Sequence, residues 1–271
     1  MAALLLVLLL LSPAADAYIS RGFFSFLKLR YGREYANDVA RYDYGPIGSF
    51  GGGLHVAGQK TQRTPVVFVA GWHSTASFSW PAVTVWLLHG YSMAELYGTS
   101  YGIPLGLVSY QFGLQCKRPD LEKGEPAAYN CRPLPTDSQA ILGGRCVDTG
   151  EDLGPPLTAL VDTYLGVGGA NNGAFGCSVL PVPGVCSAQA GMHCHSAFIR
   201  DTNAQQRYEG RTVYVLQSST DELVGYHLCG KHAAEIEGAN RTVTLFGFEH
   251  LALCTITPFQ QYNLIHKGSI L

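Results

Sequence analysis

Residues Pro65 to Ala70 read Pro-Val-Val-Phe-Val-Ala and stop at Gly71. A short, continuous apolar run of this kind suits a strand buried on both faces of a parallel sheet. That requirement restricts the chain to architectures that cover a sheet from two sides. Four further β-rich runs follow, at 93–98, 160–167, 212–217 and 242–246. Ser79 to His89 reads as a helix, with Trp80, Val83, Trp86 and Leu87 at roughly helical spacing and Gly90 as its stop. Strands alternating with helices predict an α/β fold, with a mostly parallel central sheet and helices on both faces.

The N-terminus reads as an export signal. Leu4 to Leu11 is an apolar run, Pro13 breaks it, and Ala15-Asp16-Ala17 is an A-x-A cleavage site. The run is well short of the roughly 20 residues that span a bilayer. Residues 1–17 are therefore expected to be a signal peptide and 18–271 a single secreted, soluble domain. The eight cysteines fit disulfides in an exported chain, although their connectivity cannot be read from sequence. Asn240-Arg241-Thr242 is an N-glycosylation sequon. A formal charge of −2 gives no reason to expect a nucleic-acid partner. The sequence leaves the oligomeric state open.

Chemistry in an open parallel sheet gathers outside the carboxyl ends of the strands. Asp221 lies just beyond the run at 212–217, and His250 just beyond that at 242–246. An acid followed by a histidine on late loops is the order of α/β-hydrolases. His250 would act as general base, with Asp221 fixing its tautomer and balancing the imidazolium charge. Taken singly, such an Asp is ordinarily a turn former and such a His ordinarily structural; order and strand context together carry the reading. The turn Gly71-Trp72-His73-Ser74 follows the first strand, where backbone N–H groups point at a developing oxyanion, and Trp72 N–H is the candidate donor.

Several stretches together resemble the class 2 lipases, a secreted α/β-hydrolase family abundant in nematodes and related to bacterial esterases. They include Ala36-Asn37-Asp38-Val39-Ala40-Arg41 with Gly48-Ser49-Phe50-Gly51-Gly52, and the strand and turn at 65–72. Ala94 to Gly102, Ala140-Ile141-Leu142-Gly143-Gly144, and Val161 to Gly169 extend the likeness. Asp221-Glu222 and His250 fall at the family's acid and base. The resemblance implies hydrolysis of lipid or other carboxylic esters, peripheral contact with a lipid surface, and neither cofactor nor metal.

The likeness lapses at 103–139, where the family would place a helix, a central strand and the serine elbow. This stretch carries Pro119, Pro126, Pro133 and Pro135, has no helical period, and reads as loop. A loop this long inside a compact domain is itself unusual. A literal G-x-S-x-G does occur at Gly98-Thr99-Ser100-Tyr101-Gly102. It ends the strand after the oxyanion strand, one strand–helix–strand step too early, and Pro104 follows it. Cys131 stands at about the right distance before Ala140 but lacks small residues on either side. Neither is expected to be the nucleophile. His193-Cys194-His195 offers metal ligands, but a disulfide at Cys194 is the expected use; Gly168 to Gly173 is expected to be a strand-end turn, not a phosphate cradle. Three readings stay open: an ester hydrolase, a non-catalytic lipid-binding relative, and an aberrant splice or gene-model product.

Overall fold

The computed structural model describes residues 18–56, 58–69, 71, 74–100, 115–117, 130–132, 141–145, 152–179, 186 and 191–271. The chain divides into two compact units, one built on its first hundred residues and one on the remainder.

The first unit opens with helix α1 (Arg21–Tyr31), whose N-cap Ser20 accepts the Phe23 N–H at 3.2 Å. Helix α2 (Arg33–Ala40) follows after Gly32, which takes φ +93° to make the turn. Ile19, Leu27, Ala36 and Ala40 are buried between these helices, with Phe23, Phe24 and Tyr35 packed against them. Strands β1 (Ser49–Gly51), β2 (Val66–Val69) and β3 (Leu96–Thr99) form a sheet in the order β1-β3-β2. β2 and β3 run parallel, connected through helix α3 (Trp80–Leu88), while β1 is antiparallel to β3. Gly90 ends the α3 segment with φ +85°. One expectation fails here. Val67 and Val69 share a face of β2 and are 66 % and 44 % exposed. Among the described residues β2 stands at the edge of its sheet, and an apolar run does not reveal whether a neighbour will be there to cover it.

In the second unit β8 (Thr163–Val167), β9 (Thr212–Ser218) and β12 (Arg241–Leu245) form a parallel sheet in the order β12-β9-β8. Three small antiparallel pairs accompany it: β4 (Gln115–Lys117) with β5 (Asn130–Arg132), β6 (Gly144–Arg145) with β7 (Asp152–Gly154), and β10 (His227–Leu228) with β11 (Lys231–His232). Cys116 stands opposite Cys131 in the first of these. β9 is central, and its alternation sorts its side chains between two cores. Val213 and Val215 pack with Ala234 and Ile236 on one face. Leu216 packs on the other with Leu253 and Leu264, from helices α6 (His250–Ile256) and α7 (Pro258–Lys267). Helices thus cover one face of this sheet. Among the described residues, the side chains packed on the other face come from the irregular stretch around 234–236 and not from the helix expected there.

Short helices α4 (Phe175–Val179) and α5 (Ala197–Thr202) follow β8. Cys177 pairs with Cys186, and Cys194 with Cys229 at the tip of the β10–β11 hairpin. The second bridge closes a separation of 35 residues, a constraint worth on the order of 3–4 kcal/mol in the chain-entropy account. Cys194 is therefore used as a disulfide. The neighbouring His195 brings a ring nitrogen within 4.8 Å of both sulfurs, but a bridged sulfur is not a thiolate ligand.

Candidate active site

β9 and β12 are parallel neighbours, so the loops that follow them leave the same edge of the sheet. Their partnership continues past the strands. The Ser218 hydroxyl donates to the Phe248 carbonyl at 2.6 Å, and Thr220 Oγ1 donates to the same carbonyl at 3.1 Å. Gly247 N–H donates to Thr220 Oγ1 at 3.1 Å, and Ser219 N–H to the Leu245 carbonyl at 2.9 Å. The Ser/Thr-rich composition of 218–220 is thereby explained, because short hydroxyl side chains stitch one loop to the next.

This stitching brings Asp221 and His250 together. Asp221 Oδ2 lies 2.8 Å from His250 Nδ1. Asp221 Oδ1 accepts the N–H groups of Leu223 at 3.0 Å and Val224 at 2.8 Å. The carboxylate side chain is 3 % exposed and the imidazole 25 %, so the acid is enclosed and the base reaches solvent. Burial pushes the Asp221 carboxyl up, but the His250 hydrogen bond and charge and the two backbone N–H groups outweigh it and hold it below its ordinary value. Burial pushes His250 down, and the Asp221 hydrogen bond and charge, with the Glu222 charge, reverse this and raise it. The pair is thus a carboxylate gripping one imidazole nitrogen. In the neutral ring Nδ1 then carries the proton, and Nε2 is left as the basic nitrogen.

Two residues support the histidine from outside the pair. His250 is the first residue of α6, and its backbone N–H donates to Glu222 Oε2 at 2.8 Å. Gly168, which follows β8 with φ +59°, lies under the ring, where an added Cβ would stand 3.3 Å from His250 Cε1 and 3.3 Å from Leu253 Cδ2. Gly168→Ala is therefore expected to combine left-handed backbone strain with a push on the imidazole. Its predicted signature is a changed His250 ring chemical shift in NMR spectra, together with a loss of about 1 kcal/mol or more in denaturant stability. An unchanged ring environment would count against this contact. In the sequence Gly168 to Gly173 reads only as a turn. It is one, held by Asn171 and Asn172 side chains donating to the carbonyls of Ala234, His232 and Glu235.

Cys254 lies one helical turn after His250. Burial, aided by the Asp221 charge, pushes its thiol up to about 11, so it stays protonated at neutral pH and is a poor nucleophile.

Ser100 is not set up as a nucleophile. It is 2 % exposed; its Oγ donates to the Ile47 carbonyl at 3.0 Å and accepts the Ala76 N–H at 2.8 Å. A hydroxyl whose one proton is committed to a carbonyl is a packing element, not an attacking group. Trp72 lies outside the described residues, as do residues 1–17 and nearly all of 103–139. Of the candidate oxyanion turn, Gly71 and Ser74 are described, and the Gly71 carbonyl accepts from the Ser74 hydroxyl at 2.8 Å. Asn240 is exposed directly before β12, and its Oδ1 accepts the Val213 N–H at 2.9 Å.

Compared with known families, the chain matches the class 2 lipase model over residues 63–119 and 135–263, well over half its length. It belongs to the class 2 lipase family. Membership points to lipase- or esterase-type hydrolysis, and both Asp221 and His250 fall within the matched stretches. The match breaks only between 119 and 135, so the family likeness takes in 103–119 and 135–139, where it was expected to lapse. No curated protein and no solved structure matches the chain.

Proposed function

We propose that this chain is a secreted ester hydrolase of the class 2 lipase family, of the nematode-type branch related to bacterial esterases, that keeps its acid–base pair but has lost its nucleophile. Residues 18–271 are read as one α/β-hydrolase-like domain, interrupted at about 103–139, with residues 1–17 as signal peptide. Asp221 serves as the acid and His250 as the base, and Trp72 N–H is the oxyanion donor. Asn240 is the glycan acceptor.

The observation that carries the reading is the 2.8 Å Asp221–His250 hydrogen bond in a chain whose only G-x-S-x-G serine has its hydroxyl already bonded to Ile47. A base with no nucleophile to activate cannot form an acyl-enzyme, and on this reading what remains is binding and electrostatics. In triad enzymes that residue amounts to about 10³–10⁴-fold over water. The test is a fluorophosphonate probe, which needs an activated serine, together with hydrolysis of a short-chain aryl ester. The expected result is no labelling and turnover no higher than that residual. Stoichiometric labelling, with the adduct mapped to any serine, would overturn the loss of the nucleophile.

A further inference from the structure

We propose that Glu222 is a positioning residue for the base: Asp221 holds the imidazole of His250 while Glu222 holds its backbone, so that two consecutive acids fix one histidine at both ends. The inference rests on the reading of Asp221 and His250 as acid and base.

The geometry is specific. His250 opens α6, and the first N–H groups of a helix have no partner within it. The N-cap residue, Glu249, makes no side-chain cap hydrogen bond. The acceptor comes instead from the neighbouring loop, as Glu222 Oε2 at 2.8 Å from His250 N. It is a carboxylate, so the hydrogen bond is charge-assisted. The contact joins the loop after β9 to the first residue of α6, across a separation of 28 residues. It therefore fixes where the histidine backbone starts, independently of the ring contact.

The same carboxylate also acts on the ring. The N-terminal end of a helix is electropositive and disfavours an imidazolium placed there. A negative charge on the first N–H offsets that penalty. The charged groups acting on the ring are Asp221 and Glu222, both from the loop after β9. Asp221 is enclosed, whereas Glu222 is exposed, so the contribution of Glu222 is screened by solvent and salt and is the smaller of the two. In an intact triad the histidine passes through its imidazolium form during acyl transfer, and Asp221 and Glu222 are placed to stabilise that form.

The experiment is an NMR titration of the His250 ring in the full chain, with hydrogen exchange of the His250 amide as the second readout; neither requires catalysis. Glu222→Gln keeps an oxygen for the backbone N–H and removes the charge. It is expected to lower the pH at which His250 is half-protonated while leaving the amide protected, and added salt is expected to shrink that difference. Glu222→Ala is expected to lower the midpoint and also to speed exchange of the His250 amide. Asp221→Asn, as a reference, is expected to lower the midpoint further than either. A His250 midpoint unmoved by Glu222→Gln, or a His250 amide unaffected by Glu222→Ala, overturns the proposal. Failure of the ester-hydrolase reading shows up separately, since a chain that hydrolyses nothing can still display both effects.

Discussion

Replacing Ser100 by alanine is expected to weaken the fold and leave any ester hydrolysis unaltered. The hydroxyl is enclosed and fully used, donating to Ile47 and accepting from Ala76. Ala76 is itself buried, so its N–H loses a partner that water cannot replace. An unsatisfied buried donor costs about 1–3 kcal/mol. Ile47 is 43 % exposed, and its carbonyl can rehydrate, so it adds little. For a chain of this size that loss corresponds to a melting temperature lower by roughly 2–12 °C. A catalytic serine gives the opposite pattern: its removal abolishes turnover and commonly leaves stability intact or raised, because active sites store strain. Melting curves and aryl-ester hydrolysis on the same preparations therefore decide which kind of residue Ser100 is. Turnover abolished at unchanged stability would reinstate the motif at 98–102.

That motif shows where sequence reading reaches its limit. Five letters at 98–102 satisfy a pattern, but the pattern means something only at the end of a strand that feeds a helix and exposes its side chain. Ser100 follows β3 with its hydroxyl turned into the packing around Ile47 and Ala76. Position along the chain carried that information, and the local letters did not. The strands were legible for a related reason. The runs at 93–98, 160–167, 212–217 and 242–246 met β3, β8, β9 and β12 within a few residues, because period and composition are local properties. What surrounds a strand is not local. Val66–Val69 reads as enclosed on both faces, yet Val67 and Val69 are exposed, with no strand beyond β2 among the described residues. Likewise the second face of β9 is covered by Ala234 and Ile236 from an irregular stretch with no helical period to announce it.

The site divides along the same line. Asp221 and His250 were legible because each stands just past a strand, and parallel strands deliver their following loops to one edge. The 2.8 Å contact follows from that topology. Glu222 and Gly168 were visible only as a neighbour of the acid and as a turn glycine. Their parts depend on the backbone of His250 and on the position of its ring, neither of which leaves a mark in the sequence around 222 or 168. An acid directly after the catalytic-type Asp was the one available signal, and such pairs are common on solvated loops.

Asp221 is expected to be the most costly member of the site to remove, and the cost is expected to depend on pH. Asp221→Ala strips the ring of its partner and leaves the Leu223 and Val224 N–H groups without their acceptor. Removing one partner of a buried pair costs about 3–5 kcal/mol. Asp221→Asn retains an oxygen for those two N–H groups, removes the charge and turns a donor towards Nδ1. The sign follows from the two shifts. The Asp221 carboxyl is held below its ordinary 3.8, so its share of stability is present above that value and is lost as pH falls through the depressed one. His250 is held above its ordinary 6.5, so its share is complete below that value and is lost as pH rises through the raised one. Both shares coincide between about pH 4 and 6.5, the window set by those two ordinary values. Thermal or denaturant unfolding of wild type and Asp221→Asn at pH 3, 5.5 and 9 is expected to show the widest gap at 5.5. The gap should narrow towards pH 3, as the carboxyl takes up its proton, and towards pH 9, as the imidazole loses its charge. A gap that is constant across the three values would show that Asp221 acts through its hydrogen bonds alone, and the charged pairing with His250 would have to be given up.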